Sequence, residues 1–289
     1  MTPLPTRRGA LAGLAASAAA PVKGSEPRRI ASLNPCLDAI LVHVADRAQI
    51  AAISHYSREP SATSIGDLGR SFPVTYESAE EIVALRPDLV LAAGHSGPAT
   101  RSALKQLSIR VETFGVPGSV AQSEKQVARI AALVHRPQNG AALIAAMRAA
   151  LAEAAPSPGA RPLDALVYEA GGLVSAPHTL MDELLTRCGF TNAALRYGVT
   201  RTADVPLELL VADPPEVLLA GQGEPGFPTW ADRIVNHPAL MHATRRMYRA
   251  SFPQHLTFCG GPVIVEAAHV LADIRRRAEA FRAAEGAKA

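Results

Sequence analysis

From residue 28 onward, short apolar runs alternate with segments whose apolar residues recur every three or four positions. Compact apolar runs are strand signals, and the wider spacing is a helix signal. Arg29–Ser32, Ile50–Ser54, Asp88–Ala93 and Arg110–Phe114 predict strands. Cys36–Val44, Ala79–Leu85, Thr100–Leu107 and Gln122–Val134 predict helices between them. Such alternation implies an α/β domain with a mainly parallel sheet. Pro137 to Ala155 is then one Ala-rich segment of strong helix formers, halted by Pro156-Ser157-Pro158-Gly159. The alternation restarts with strand Asp164–Glu169, helix Leu180–Arg187, strands Glu216–Ala220 and Arg246–Ala250, and a closing helix Pro262–Ala284. The expected organisation is an N-terminal lobe over 28–136, a linking helix over 137–157 and a C-terminal lobe over 158–289.

The two halves echo each other. Glu80–Gly94 reads EEIVALRPDLVLAAG, and Glu208–Gln222 reads ELLVADPPEVLLAGQ. Each begins with an acid in the first turn of a short helix, where the macrodipole favours negative charge. A proline then ends the helix and an apolar strand follows. Helix–Pro–acid–strand is a common α/β connection, but an acid at the same offset in both halves adds a feature that the connection alone does not require.

Residues 1–27 depart from this pattern. Thr6-Arg7-Arg8 opens a positive start, Gly9–Ala20 is a short apolar run, and small residues around Ala16–Ala20 offer a cleavage site. These are the parts of an export signal, and the twin arginines are compatible with either the Tat or the general secretory route. A soluble periplasmic product is expected, with no cysteine near the leader's end to carry a lipid. The net charge of +3 is small for 289 residues, and Arg275-Arg276-Arg277 reads as a solvated helix face, so no nucleic-acid partner is expected. The sequence has no nucleophile elbow, P-loop or H-E-x-x-H, which argues against an enzyme. Its nine histidines are scattered and no C-x-x-C occurs, so neither a bare metal site nor a cofactor is expected.

Several segments resemble one family, the periplasmic solute-binding proteins for cobalamin and ferric siderophores. They are Arg29-Ile-Ala-Ser-Leu-Asn, Glu80-Glu-Ile-Val-Ala-Leu-Arg-Pro-Asp-Leu-Val, Leu180-Met-Asp-Glu-Leu-Leu-Thr-Arg-Cys-Gly-Phe-Thr-Asn, His237-Pro-Ala-Leu and Gly260-Gly-Pro. The resemblance implies two Rossmann-like lobes joined by a single long helix, the class III architecture. It also implies a monomer that binds cobalamin or a ferric siderophore between its lobes and delivers it to an ABC permease dimer. Haem or another chelate, or a sensory role on the same fold, is the alternative. In this family one acid per lobe meets the permease, which maps here to Glu80 and Glu208, with Glu81 as a competitor for the first.

By the same resemblance, contacts to the ligand are expected from the loops after the first strands and ahead of each docking acid. In the N-terminal half these offer Asn34, Cys36, His55, Tyr56, Arg58, Phe72, Tyr76 and His95. The C-terminal half offers Tyr197, Arg201, Gln222, Trp230 and Cys259. Aromatics suit flat macrocycles and arginines suit anionic siderophores. Cobalamin binders carry a cleft tryptophan where this chain has Val74, between Phe72 and Tyr76. An oxidising compartment permits a disulfide between Cys36 and Cys259; buried free thiols are the other reading. Cys188 lacks its usual family partner and is expected unpaired and buried.

Overall fold

The computed structural model describes residues 26–95, 97–169, 173–221, 237–238, 240 and 247–286. Its first sheet comprises β1 (Ile30–Ser32), β2 (Ile50–Ser54), β3 (Val74–Thr75), β4 (Leu89–Ala93) and β5 (Val111–Phe114). All pair in parallel, in the order β3-β2-β1-β4-β5. The helices between them are α1 (Pro35–Val44), α2 (Gly66–Arg70), α3 (Ala79–Leu85) and α4 (Pro98–Gln106). Alternate residues of the strands serve two cores. Ile30, Leu89 and Leu91 face the main cluster, while Ala31, Val90 and Ala92 face a smaller one with Ile82 and Leu104. Both faces are covered, which is why β4 is buried along its whole length.

Helices α5 (Val120–Leu133) and α6 (Pro137–Glu153) follow as an antiparallel pair turning at His135, whose φ is 59°. Proline opens α6, where its missing N–H costs nothing. Gly140 lets the pair approach closely, since a Cβ there would overlap the Cβ of Ala131. The second sheet contains β6 (Leu163–Tyr168), β7 (Leu173–Val174), β8 (Phe190–Asn192), β9 (Ala203–Asp204), β10 (Val217–Ala220) and β11 (Tyr248–Ser251). Strands β11, β10, β6 and β8 run parallel, whereas β7 and β9 form an antiparallel flap at one margin. Its helices are α7 (Leu180–Arg187), α8 (Leu207–Ala212) and the terminal α9 (Val263–Gly286). Strands β3, β7, β8 and β9, two or three residues each, fall outside the strands that the sequence pattern predicts.

One apolar cluster runs behind both sheets. It includes Ile40 of α1, Val127 of α5, Met147 and Leu151 of α6, Leu184 of α7, and Ile264 and Leu271 of α9. The halves therefore share a core along the linking helix, and their separation would expose apolar surface. Among the described residues, no helix is long and apolar enough to cross a membrane.

Candidate functional site

In an open parallel sheet the connections leaving the strand C-termini form the binding edge. Three contacts show that these edges of the two sheets converge. Cys36, in the first turn of α1 after β1, is disulfide-bonded to Cys259, in the connection from β11 to α9, with Cα atoms 5.2 Å apart. The Gly261 amide donates to Ser123 Oγ of α5 at 2.7 Å. The Val120 amide donates to Glu183 of α7 at 2.8 Å. Gly261 has φ 67°, and a Cβ there would lie 2.6 Å from Ile40 Cγ1. The Cys259-Gly260-Gly261 segment is thus pressed onto α1 and α5, a contact only a residue without a Cβ permits.

The first sheet presents an aromatic and imidazole cluster at this edge. Strand β2 ends at Ser54 and is followed by His55 and Tyr56; β3 ends at Thr75 and is followed by Tyr76. The His55 ring stacks on Tyr76 with centroids 4.8 Å apart and lies 4.0 Å from that of Tyr56. Tyr76 is 69% exposed and Tyr56 42%, so the cluster has an open face. Among the described residues, His55 Nδ1 is buried with no hydrogen-bond partner.

Polar groups hold this cluster from below. Asp38 in α1 is fully buried and accepts from the Ser54 amide at 2.9 Å and the Ser57 hydroxyl at 2.7 Å. Burial pushes its carboxyl up to about 8, against the lowering effect of Ser32, Ser57 and Ser54. Ser54 Oγ donates to Glu77 at 2.9 Å. Glu77 sits at φ 69°, pinned by its own amide on Thr75 Oγ1 and by Thr100 Oγ1 donating to its carbonyl. Glu81 accepts from the Tyr76 amide at 2.9 Å and from Thr75 Oγ1 at 3.1 Å. None of Asp38, Ser54, Glu77 or Glu81 was among the predicted contacts. An acid inside the apolar helix PCLDAILVHV was the available signal for the first.

The remaining predicted residues divide. Asn34 caps α1, its side chain accepting from the Cys36 and Leu37 amides. His95 is exposed just beyond β4, on the same edge. Arg201 is exposed in the turn entering β9. Gln222 and Trp230 lie outside the described residues.

Four placements depart from the sequence reading. Phe72 is 5% exposed, packed in the main core before β3 with the Arg47 guanidinium 4.5 Å from its ring centre. It lies toward the start of the sheet because β3 pairs only with the end of β2, leaving the preceding residues low. Arg58, exposed, turns back and donates one N–H to the Phe72 carbonyl at 2.9 Å. Tyr197 lies at the far end of the second sheet, its hydroxyl donating to the Asp213 carbonyl ahead of β10. The cause is register: β8 pairs with the first half of β6, so the turn after it never reaches the cleft edge. Cys36 and Cys259 are bonded to each other, which removes both as free-thiol contacts and overturns the free-thiol reading. Cys188 is free and buried, and burial raises its thiol to about 12.

At the corresponding edge of the second sheet, Glu169 follows β6 and accepts from the Ser175 hydroxyl at 2.8 Å. Burial raises its carboxyl above the ordinary range, opposed by that hydroxyl. Both docking candidates are exposed in the first turns of α3 and α8, each beside an exposed apolar residue, Val83 and Leu209. Glu81 is committed to the Tyr76 loop. Among the described residues no group of His, Cys, Asp and Glu is arranged to hold a metal ion.

Two lobes with converging strand ends, tied by a linking helix and a shared core, define the class III periplasmic binding architecture. The family model described as "Periplasmic binding protein" matches residues 30–254, and the chain belongs to that family. A cobalamin-binding protein of Halobacterium salinarum is 26% identical over 226 residues, 76% of this chain. The match spans 61% of that relative's length. Among solved structures, a periplasmic heme-binding protein from Pseudomonas aeruginosa superposes with a TM-score of 0.65 at 21% identity, covering 85% of this chain and 91% of its own. The periplasmic vitamin B12 binding protein of Vibrio cholerae gives 0.63 at 16% identity, covering 88% and 98%. At these identities the likeness carries the fold.

Proposed function

We propose that this protein is the solute-binding component of an ABC importer, capturing a metal chelate between its lobes outside the cytoplasmic membrane. The carrying observation is the open His55–Tyr56–Tyr76 cluster at the edge where the two sheets converge. Aromatic and imidazole rings offer rigid apolar area and stacking at low entropic cost. That suits a flat macrocycle, a corrin or a porphyrin, better than an anionic siderophore. Two nearby arginines each give one N–H to the main chain, Arg58 to the Phe72 carbonyl and Arg101 to the Ala93 carbonyl. The cobalamin-binding relative and the heme- and vitamin B12-binding structures support the same range of cargo.

Capture needs no catalysis. The cargo lies against the tyrosine face, and the second lobe, with Glu169 and Ser175 at its edge, contributes polar contacts. Glu80 and Glu208, one on each lobe, meet basic sites on the two permease subunits and set docking register and association rate. The deciding experiment is a titration of the exported protein with cyanocobalamin, hemin and a panel of ferric siderophores, followed by tyrosine and tryptophan fluorescence and by cargo absorbance. Saturable binding of one macrocycle at micromolar or lower concentration is the expected result. Binding of a siderophore alone would overturn the macrocycle assignment, and no binding across the panel would count against chelate capture.

A further inference from the structure

The disulfide is placed unusually for one whose task is only to staple a fold. It joins residues 223 apart in sequence, one at the start of α1 on the first lobe and one ahead of α9 on the second. Both positions follow strand C-termini, so the bond crosses between the lobes at their cleft-facing edge, whereas the linking helix and the shared core lie behind the sheets. The Gly261 amide to Ser123 Oγ and the packing of Gly261 on Ile40 flank it. A further cross-lobe tie at this edge, Val120 to Glu183, is a single hydrogen bond. Of the two half-cystines, Cys36 is partly exposed and Cys259 is 5% exposed.

We propose that Cys36–Cys259 is a thiol-exchange site, through which a dithiol reductant unclamps the cleft edge of the two lobes. The reductant's thiolate attacks Cys36 Sγ, the accessible sulfur; the S–S bond breaks and Cys259 leaves as a thiolate. The reductant's second thiol then displaces Cys36 and departs as its own disulfide, its two protons passing to the two cysteines. With the bond open, the lobes pivot on α6 and the shared core, and the chelate is held less tightly. Oxidised protein is thus the retaining form and reduced protein the releasing form. The cargo part of this inference rests on the function proposed above; the mechanical part does not.

The test compares oxidised full-length protein with protein reduced by dithiothreitol under native conditions. Thiol titration in denaturant should rise from one group, Cys188, to three. Hydrogen exchange at residues 34–38 and 257–262 should speed up by about tenfold or more on reduction, with α6 unchanged. The C36S/C259S double variant should match the reduced protein; if it fails to fold, reduced wild type carries the test. Cyanocobalamin and hemin are then titrated into both forms, and whichever binds the oxidised protein should bind the reduced form about tenfold more weakly. Resistance of the bond to dithiothreitol until the protein unfolds, or unchanged exchange after reduction, would overturn the proposal. Equal affinity in both forms would overturn its cargo arm while leaving chelate capture standing. Absence of binding in both forms would count against chelate capture, and the clamp would still be judged by exchange.

Discussion

Asp38 is the residue where burial and charge conflict most directly. Its carboxyl is raised to about 8 by burial, against an ordinary value near 4 in the unfolded chain. Between those values the folded protein holds a proton that the unfolded chain has released. Stability from this group is therefore full below about pH 4, falls as pH rises towards 8, and levels off above it, with a slope of at most about 1.4 kcal/mol per pH unit. Asp38→Asn keeps an acceptor for Ser54 and Ser57 and removes the titration. The variant's melting temperature should lose this slope between pH 5 and 8, as measured by calorimetry, and should exceed wild type at pH 8. Tyr76 and Phe72 make a second contrast at this scale. Tyr76→Ala should weaken macrocycle binding by about tenfold, the loss of one stacking partner, with little change in melting temperature. Phe72→Ala should cost about 3–5 kcal/mol in denaturant unfolding, with affinity unchanged where the variant is folded. Nothing local in the sequence separates these two aromatics, four residues apart on either side of Val74. The difference is which end of a two-residue strand each one flanks.

At the scale of elements, the repeated acid-first helix was legible because its spacing is local. The choice between Glu80 and Glu81 was not, because it depends on where the first turn of α3 packs. Glu81 accepts from the Tyr76 amide while Ser78 caps the Glu81 amide, whereas Glu80 is exposed in the same turn. In cells carrying the cognate importer, Glu80→Ala with Glu208→Ala should cut uptake by about tenfold or more, without changing cargo affinity in titration. Glu81→Ala should instead weaken cargo binding, because it frees the loop that carries Tyr76. The same limit applies to α1. Its helical spacing was plain, yet the role of Asn34 as its cap appears only once the helix start is known.

For the whole molecule, the alternation of strands and helices, the Ala-rich link and the internal echo foretold two α/β lobes about one helix. Closing a loop of more than 200 residues through Cys36 and Cys259 should add about 2–5 kcal/mol to stability. Urea unfolding of C36S/C259S should show this loss, and Cys188→Ala should show none attributable to a crosslink. What the sequence alone determined was everything set by short-range physics. Apolar period, helix formers and proline stops each act within a few residues, so lobe count, the longer strands and helices, and the linking helix could be read directly. Tertiary structure alone decided the cysteine pairing, the burial of Phe72, the retreat of Tyr197 to the far edge, and the gathering of His55, Tyr56 and Tyr76 over Asp38. Each of these depends on strand register and on lobe-to-lobe packing, and those are fixed by contacts between residues tens to hundreds of positions apart.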